Sequence, residues 1–251
     1  MLEVFDCFSL KLKISSFNVP LTWTLGFGMM IDFNVTYYVA DFRGNTIFIL
    51  NDEWKYLTSK NFSNPAYMIT IDNNLYIVCN SYLYKTDKYL NILNTYQPTS
   101  SPSYRGIYYN STSRLIYTVG EDSKTIEIFD LNPSLNQNIS VSSYTPRSIT
   151  EFNNQLYVGT KNGTILVIVN MAVSRLFNGC GGNYVYITSL LFDQNGILST
   201  LCDGHNIYSY YPNGTLLRTG LVTASNPQYM GLDSKGRFIV ISASYIDIYS
   251  K

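Results

Sequence analysis

The chain has 251 residues, 46% of them apolar, which is enough for a sizeable core and ordinary for one all-β domain. Only 14% are charged, and 17 Lys+Arg balance 17 Asp+Glu. Nucleic-acid surfaces usually show a basic excess or stripe. The densest basic run here is "KLK" at 11–13, so nucleic acid is disfavoured. Polarity comes from Asn, Ser and Thr, and 23 Tyr suit pleated, half-buried surfaces, which argues against helix bundles and disorder.

In chain order the first β-like run is "FSLKLKISSF" at 8–17. The leader region ahead of it lacks the continuous apolar stretch of a signal peptide. The most apolar run, "LGFGMMI" at 25–31, falls short of the ~18 residues a membrane span needs. No membrane insertion is expected. The sequence reads as an intracellular protein or as a piece of a longer chain.

From residue 25 onward one pattern recurs. Short apolar runs end at Asp32, Asp72, Asn110, Asn153, Asp193 and Asp233, at spacings of 40, 38, 43, 40 and 40. After each comes a β-type run ("TYYVA", "LYIVC", "LIYTVG", "LYVG", "ILSTLC", "RFIVIS") that closes on a small residue: Ala40, Cys79, Gly120, Gly159, Cys202 or Ser242. Small size at a strand end asks for a close neighbour. A polar turn and a third run follow: "TIFIL", "YLYKT", "TIEIF", "TILVIV", "NIYSYY", "YIDIY". The first, third and last of these alternate as half-buried strands do. A weaker fourth run is read in "WKYLTS", "LNILNTY", "ISVSSY", "VSRLF" and "LLRTGL", with "NPSLNQN" taken as a turn.

Four short antiparallel strands per ~40 residues is the signature of a propeller blade. The expected fold is an all-β, six-bladed β-propeller forming a single domain over 1–251. Its blades fall at about 25–62, 64–98, 102–144, 145–182, 183–224 and 226–251. The sixth repeat stops after its third strand. The spare run at 8–17 is therefore expected to close the ring as the outer strand of the last blade, which also covers an exposed edge.

The repeat resembles the NHL-type propeller repeat, closest in "GFGMMIDFNVTYYVADFRGNTIFIL" and partly in "YMITIDNNLYIVCN", "NNQLYVGTKNGTILVIV" and "PQYMGLDSKGRFIVIS". That resemblance implies protein- or RNA-binding modules, or lyases and hydrolases with metal-dependent channels. Fold does not fix activity. One histidine, His205, cannot supply the several ligands of an amidating-type zinc lyase. No G-x-S-x-G elbow is present to use it as a catalytic base.

The four cysteines, Cys7, Cys79, Cys180 and Cys202, contain no C-x-x-C pair. Cys79 and Cys202 fall in opposite blades, too far apart to bridge. They read as small buried thiols, which fit a reducing compartment. Sequons begin at Asn34, Asn61, Asn110, Asn138, Asn162 and Asn213. A chain this rich in Asn, Ser and Thr yields roughly five by composition alone.

Two candidate sites follow. Large side chains leading into the innermost strands are Phe27, Tyr67, Arg105, Arg147, Tyr186 and Tyr229. Aromatics with Arg, rimmed by polar groups, make a binding face around the channel for a protein, peptide or glycan. Such a module needs no cofactor. The alternative is a lactonase-like hydrolase with calcium held by Asp41, Asn80, Glu121 and Asp203, oxygen donors that suit a hard cation.

Overall fold

The computed structural model describes residues 9–15, 30–33, 36–98, 102–181, 185–203, 206–221, 227–232, 238–242 and 245–250. These residues form six four-stranded antiparallel sheets and no helix. β1 is Ser9–Ser15. Blade one holds β2 (Met30–Phe33), β3 (Thr36–Asp41), β4 (Thr46–Leu50) and β5 (Tyr56–Asn61). Blade two holds β6 (Pro65–Ile71), β7 (Asn74–Cys79), β8 (Tyr82–Thr86) and β9 (Ile92–Tyr96). Blade three holds β10 (Tyr104–Asn110), β11 (Leu115–Gly120), β12 (Thr125–Phe129) and β13 (Leu135–Ser140). Blade four holds β14 (Pro146–Phe152), β15 (Gln155–Thr160), β16 (Thr164–Val169) and β17 (Ala172–Asn178). Blade five holds β18 (Ile187–Phe192), β19 (Leu198–Cys202), β20 (Asn206–Tyr210) and β21 (Leu216–Leu221). Blade six holds β22 (Pro227–Leu232), β23 (Phe238–Ser242) and β24 (Tyr245–Ser250).

The ring closes as the truncated last repeat implies. β1 pairs antiparallel with β24 from Ser9↔Ser250 to Ser15↔Tyr245, so the sheet order is β1-β24-β23-β22.

The core lies between blades. Ile47 and Ile49 of β4 pack toward blade two, and Phe48 and Leu50 pack toward blade six. In β16, Leu166 and Ile168 meet blade three, while Ile165 and Val167 meet blade five. The third strands β4, β12, β16 and β20 are thus buried on both faces, not half-buried as β8 of blade two is, because a propeller sheet has a neighbour on either side. Each such side chain contributes about 2 kcal/mol of burial. The outermost strands carry most of the exposed strand residues. β13 shows the consequence: residues 135–138 are exposed, so they carry no apolar signal. The outer strand of blade three starts at Leu135, inside the segment read as a turn. The actual turn is tighter, closed by Asp130 N–H donating to Ser134 O at 3.3 Å.

A tyrosine in the second strand clasps neighbouring blades at three interfaces. Tyr38 Oη donates to Lys88 O (2.7 Å), Tyr76 Oη to Leu131 O (2.6 Å) and Tyr157 Oη to Pro212 O (3.2 Å). Each acceptor sits in the next blade's outer hairpin. Tyr76→Phe keeps the ring and removes the bond. The expected loss is about 1 kcal/mol, read as a lowered denaturation midpoint.

The repeat marks Asp72, Asn110, Asn153 and Asp193 are turn formers. Asp72 and Asn153 have φ of 47° and 51°. Asn110 and Asp193 each accept two backbone N–H bonds through Oδ1. Asp32 pairs with Tyr37 in β2–β3, and Asp233 lies outside the described residues.

Candidate functional site

The site is set by a feature the sequence does not advertise. Five innermost strands, β6, β10, β14, β18 and β22, each skip one residue near their start: Ala66, Arg105, Arg147, Thr188 and Gln228. A bulge bends the strand and re-aims the extra side chain. In blades three and four that side chain is an arginine.

Arg105 Nε donates to Glu121 Oε2 at 2.7 Å, and its guanidinium stacks on Phe42, Cζ 4.8 Å from the ring centre. Lys161 Nζ donates to Glu121 Oε1 at 3.1 Å. Arg147, 7% exposed, stacks on Tyr186 at 4.9 Å, and Lys161 Nζ lies 5.4 Å from the same ring. Three cations, one carboxylate and two aromatics from blades one, three, four and five therefore form one cluster at a single end of the ring.

Burial pushes the Glu121 carboxyl up. The hydrogen bond from Arg105, the charges of Arg147 and Arg105 and the bond from Lys161 outweigh it and hold the group below the usual carboxylate range. A depressed folded pKa contributes stability above the unfolded value, and that stability is lost as pH falls through the folded one. Glu121→Gln is therefore expected to lower the thermal midpoint at neutral pH. The two profiles should converge on acidification, checked by thermal unfolding across pH.

The six large side chains expected to ring the mouth occupy different levels. Arg105, Arg147 and Tyr186 stand in the rim cluster. Tyr67 and Tyr229 follow the bulges by one residue and line the channel instead. Tyr67 Oη donates to Thr188 O at 2.6 Å, linking opposite blades two and five across the axis. Its ring meets Tyr229 edge-on at 6.3 Å. Burial raises the Tyr67 hydroxyl to about 12, partly offset by Arg147 and Arg105. These tyrosines also line a cavity of about 190 Å³ that extends along the inner strands past Tyr108, Ile149, Leu190 and Met230. Phe27 lies outside the described residues.

The row of small strand-end residues needs a one-residue correction in two blades. Pairing aligns Asp41, Cys79, Gly120, Thr160, Cys202 and Ser242, which all precede the turn into the third strand. Ala40 and Gly159 sit one place earlier, hence on the other sheet face. The row after it holds Phe42, Asn80, Glu121, Lys161 and Asp203. Backbone bonds repeat along it: Glu121 N–H to Ser103 O (3.1 Å), Lys161 N–H to Thr145 O (2.9 Å) and Asp203 N–H to Tyr186 O (2.8 Å). This slip is why sequence reasoning missed Phe42 and Lys161. The turn lengths vary, from Asp41↔Thr46 to Cys79↔Tyr82, so counting from either end loses the frame. Counting from the bulged inner strand β14 would have found Lys161.

The four oxygen donors considered for calcium divide their roles. Asp41 Oδ1 accepts the Gly44 N–H at 2.8 Å inside its own turn. Asn80 O accepts the Tyr104 N–H at 3.1 Å. Asp203 fixes Tyr186 through its backbone, and Glu121 holds Arg105 and Lys161. A cation at Glu121 would compete with those two side chains. Among the described residues no group of three or more His, Cys, Asp or Glu is arranged to hold a metal ion.

Cys180 and Cys202 form a disulfide, Cα–Cα 5.9 Å, so Cys202 is not the free thiol expected from the sequence. Cys79 is buried and free. Cys180 follows the outer strand of blade four, and its bond ties it to Cys202 at the end of β19 in blade five. Cys7 and His205 lie outside the described residues.

No protein-family model matches this chain, and no curated protein matches it in sequence. Solved structures do resemble it. A streptogramin B lyase superposes with TM-score 0.75 at 11% identity, covering 99% of each chain. A catalytically inactive virginiamycin B lyase from Staphylococcus aureus with quinupristin gives 0.72 at 12%, covering 94% of this chain and 82% of that one. The WD40 β-propeller domain of Doa1 gives 0.70 at 15%, covering 86% and 75%. Likeness at these identities carries the fold alone. The chain is a six-bladed β-propeller, a fold compatible with binding.

Proposed function

We propose that this chain is a non-catalytic interaction propeller whose ligand is an acidic segment of a protein or peptide. The segment docks on the rim at Arg105, Arg147, Lys161 and Tyr186. The observation that carries the reading is the cluster itself: Arg105 and Lys161 both bond the Glu121 carboxylate, and both arginines sit over aromatic rings. Stacked Arg is preorganised for a carboxylate and loses little freedom on binding. Tyr67 and Tyr229 lie beneath as a floor, so a ligand rests on the mouth and does not thread it. The NHL-type resemblance of the repeats belongs to the same reading.

Panning the protein against a displayed peptide library tests it. Enriched peptides should carry Asp or Glu, and Arg147→Ala should weaken them at least ~10-fold while the unfolding midpoint stays high. Peptides without acidic residues, equal binding by the variant, or capture of glycans instead would overturn it. A calcium titration addresses the hydrolase alternative on Asp41, Asn80, Glu121 and Asp203. That alternative requires calcium to raise the thermal midpoint, whereas the interaction reading expects no shift.

A further inference from the structure

We propose that this chain is N-glycosylated at Asn61, Asn138, Asn162 and Asn213, and that it matures in an oxidising secretory compartment. Two independent observations meet here. The first is the Cys180–Cys202 disulfide, both of whose residues are fully buried. Reducing compartments keep such thiols unpaired, whereas secretory ones oxidise them. To form the bond, the two thiols give up two protons and two electrons to a disulfide of a thiol oxidant, which becomes a dithiol.

The second observation is where the sequons fall. Asn61 ends the outer strand β5, Asn138 lies within the outer strand β13, Asn162 is in the β15–β16 turn and Asn213 is in the β20–β21 turn. All four asparagines are exposed. The hydroxyl partners Ser63, Ser140 and Thr215 are exposed too, and Thr164 is half-buried. Asn213 Oδ1 accepts the Thr215 N–H at 2.9 Å, which draws the two functional ends of that sequon together. Asn110 differs. It ends the inner strand β10, and its Nδ2 donates to Glu151 of blade four. It is therefore left unmodified. Asn34 lies outside the described residues.

In the transfer, the side-chain amide nitrogen bonds to the anomeric carbon of an oligosaccharide carried on a lipid diphosphate. The carbon–oxygen bond to phosphate breaks, the lipid diphosphate leaves with the electron pair, and the transferase takes the amide proton. Asn162 directly follows Lys161, so one glycan borders the rim cluster.

The test uses the native chain from cells that make it, alkylated without reductant. Treatment with a peptide-N-glycosidase should increase its gel mobility. Peptide mass mapping should find Asp in place of Asn at the four positions and intact Asn at Asn110. Cys180 and Cys202 should resist alkylation until reduced, while Cys79 alkylates on unfolding. Unchanged mobility, or Cys180 and Cys202 alkylated without reduction, would overturn the proposal. Conversion at Asn110 would overturn the site assignment. The variant N61Q/N138Q/N162Q/N213Q made in the same cells should run at the deglycosylated mobility; a further enzyme-sensitive shift in it would also count against the assignment.

Discussion

The double variant Cys180→Ser, Cys202→Ser is expected to lose about 3 kcal/mol of stability, the size given by closing a loop of this length. The bond spans 22 residues and ties the blade four–five connection to the end of β19. Beside Cys180, Gly181 has a φ of +62°, and a Cβ there would stand 2.4 Å from Tyr208 Cε1. The adjoining Gly179 O accepts Thr200 Oγ1 at 2.6 Å. Denaturant unfolding checks the expectation. Reductant should bring the parent down to the variant and leave the variant unmoved. If parent and variant unfold together without reductant, the bond contributes nothing.

Gly159→Leu should cost about as much, near the top of the ~1–3 kcal/mol typical of overpacking. A Cβ at this position would lie 2.4 Å from Ser148 Oγ, 2.5 Å from Ile187 Cγ2 and 2.9 Å from Ile187 Cβ. Ser148 belongs to the blade's own inner strand, and Ile187 belongs to the next blade. Both are buried, at 3% and 0% exposure, so neither can swing into water. The damage falls on the seam between blades four and five, where repeat proteins store their stability. Gly220→Leu is the control, since a Cβ there meets nothing within 4 Å. The prediction is that the first variant unfolds at clearly lower denaturant while the second stays with the parent. Matching midpoints for all three would refute the close approach at Gly159.

These two sites also show how differently information is stored along the chain. The need for a small side chain at Gly159 was legible, yet the equivalence drawn between Gly159 and Gly120 was not. Pairing sets Gly120 opposite Tyr104 and Gly159 opposite Ser148, one step apart in register. A single-residue slip reverses every side chain of a strand, and composition carries no mark of it when turns differ in length. Arg105 and Arg147 were named from the sequence as large side chains leading into the inner strands, whereas the structure sets them inside β10 and β14 as the bulged residues. Their partners were harder. Glu121 was noted as a metal donor, while Lys161 and Phe42 were missed, because the contacts join residues 40 to 63 positions apart.

The repeat period, the strand content and the spare segment at 8–17 were enough, without coordinates, to dictate six blades and a closed ring. Each follows from local rules: apolar runs of strand length, turn formers between them and an unpaired edge that must be covered. Only the tertiary structure decided the register, the bulges at Arg105 and Arg147, the Tyr67 span across the channel and the Cys180–Cys202 bond. Those depend on which strands lie side by side and how tightly they meet. Packing between blades sets that, and no segment carries it by itself.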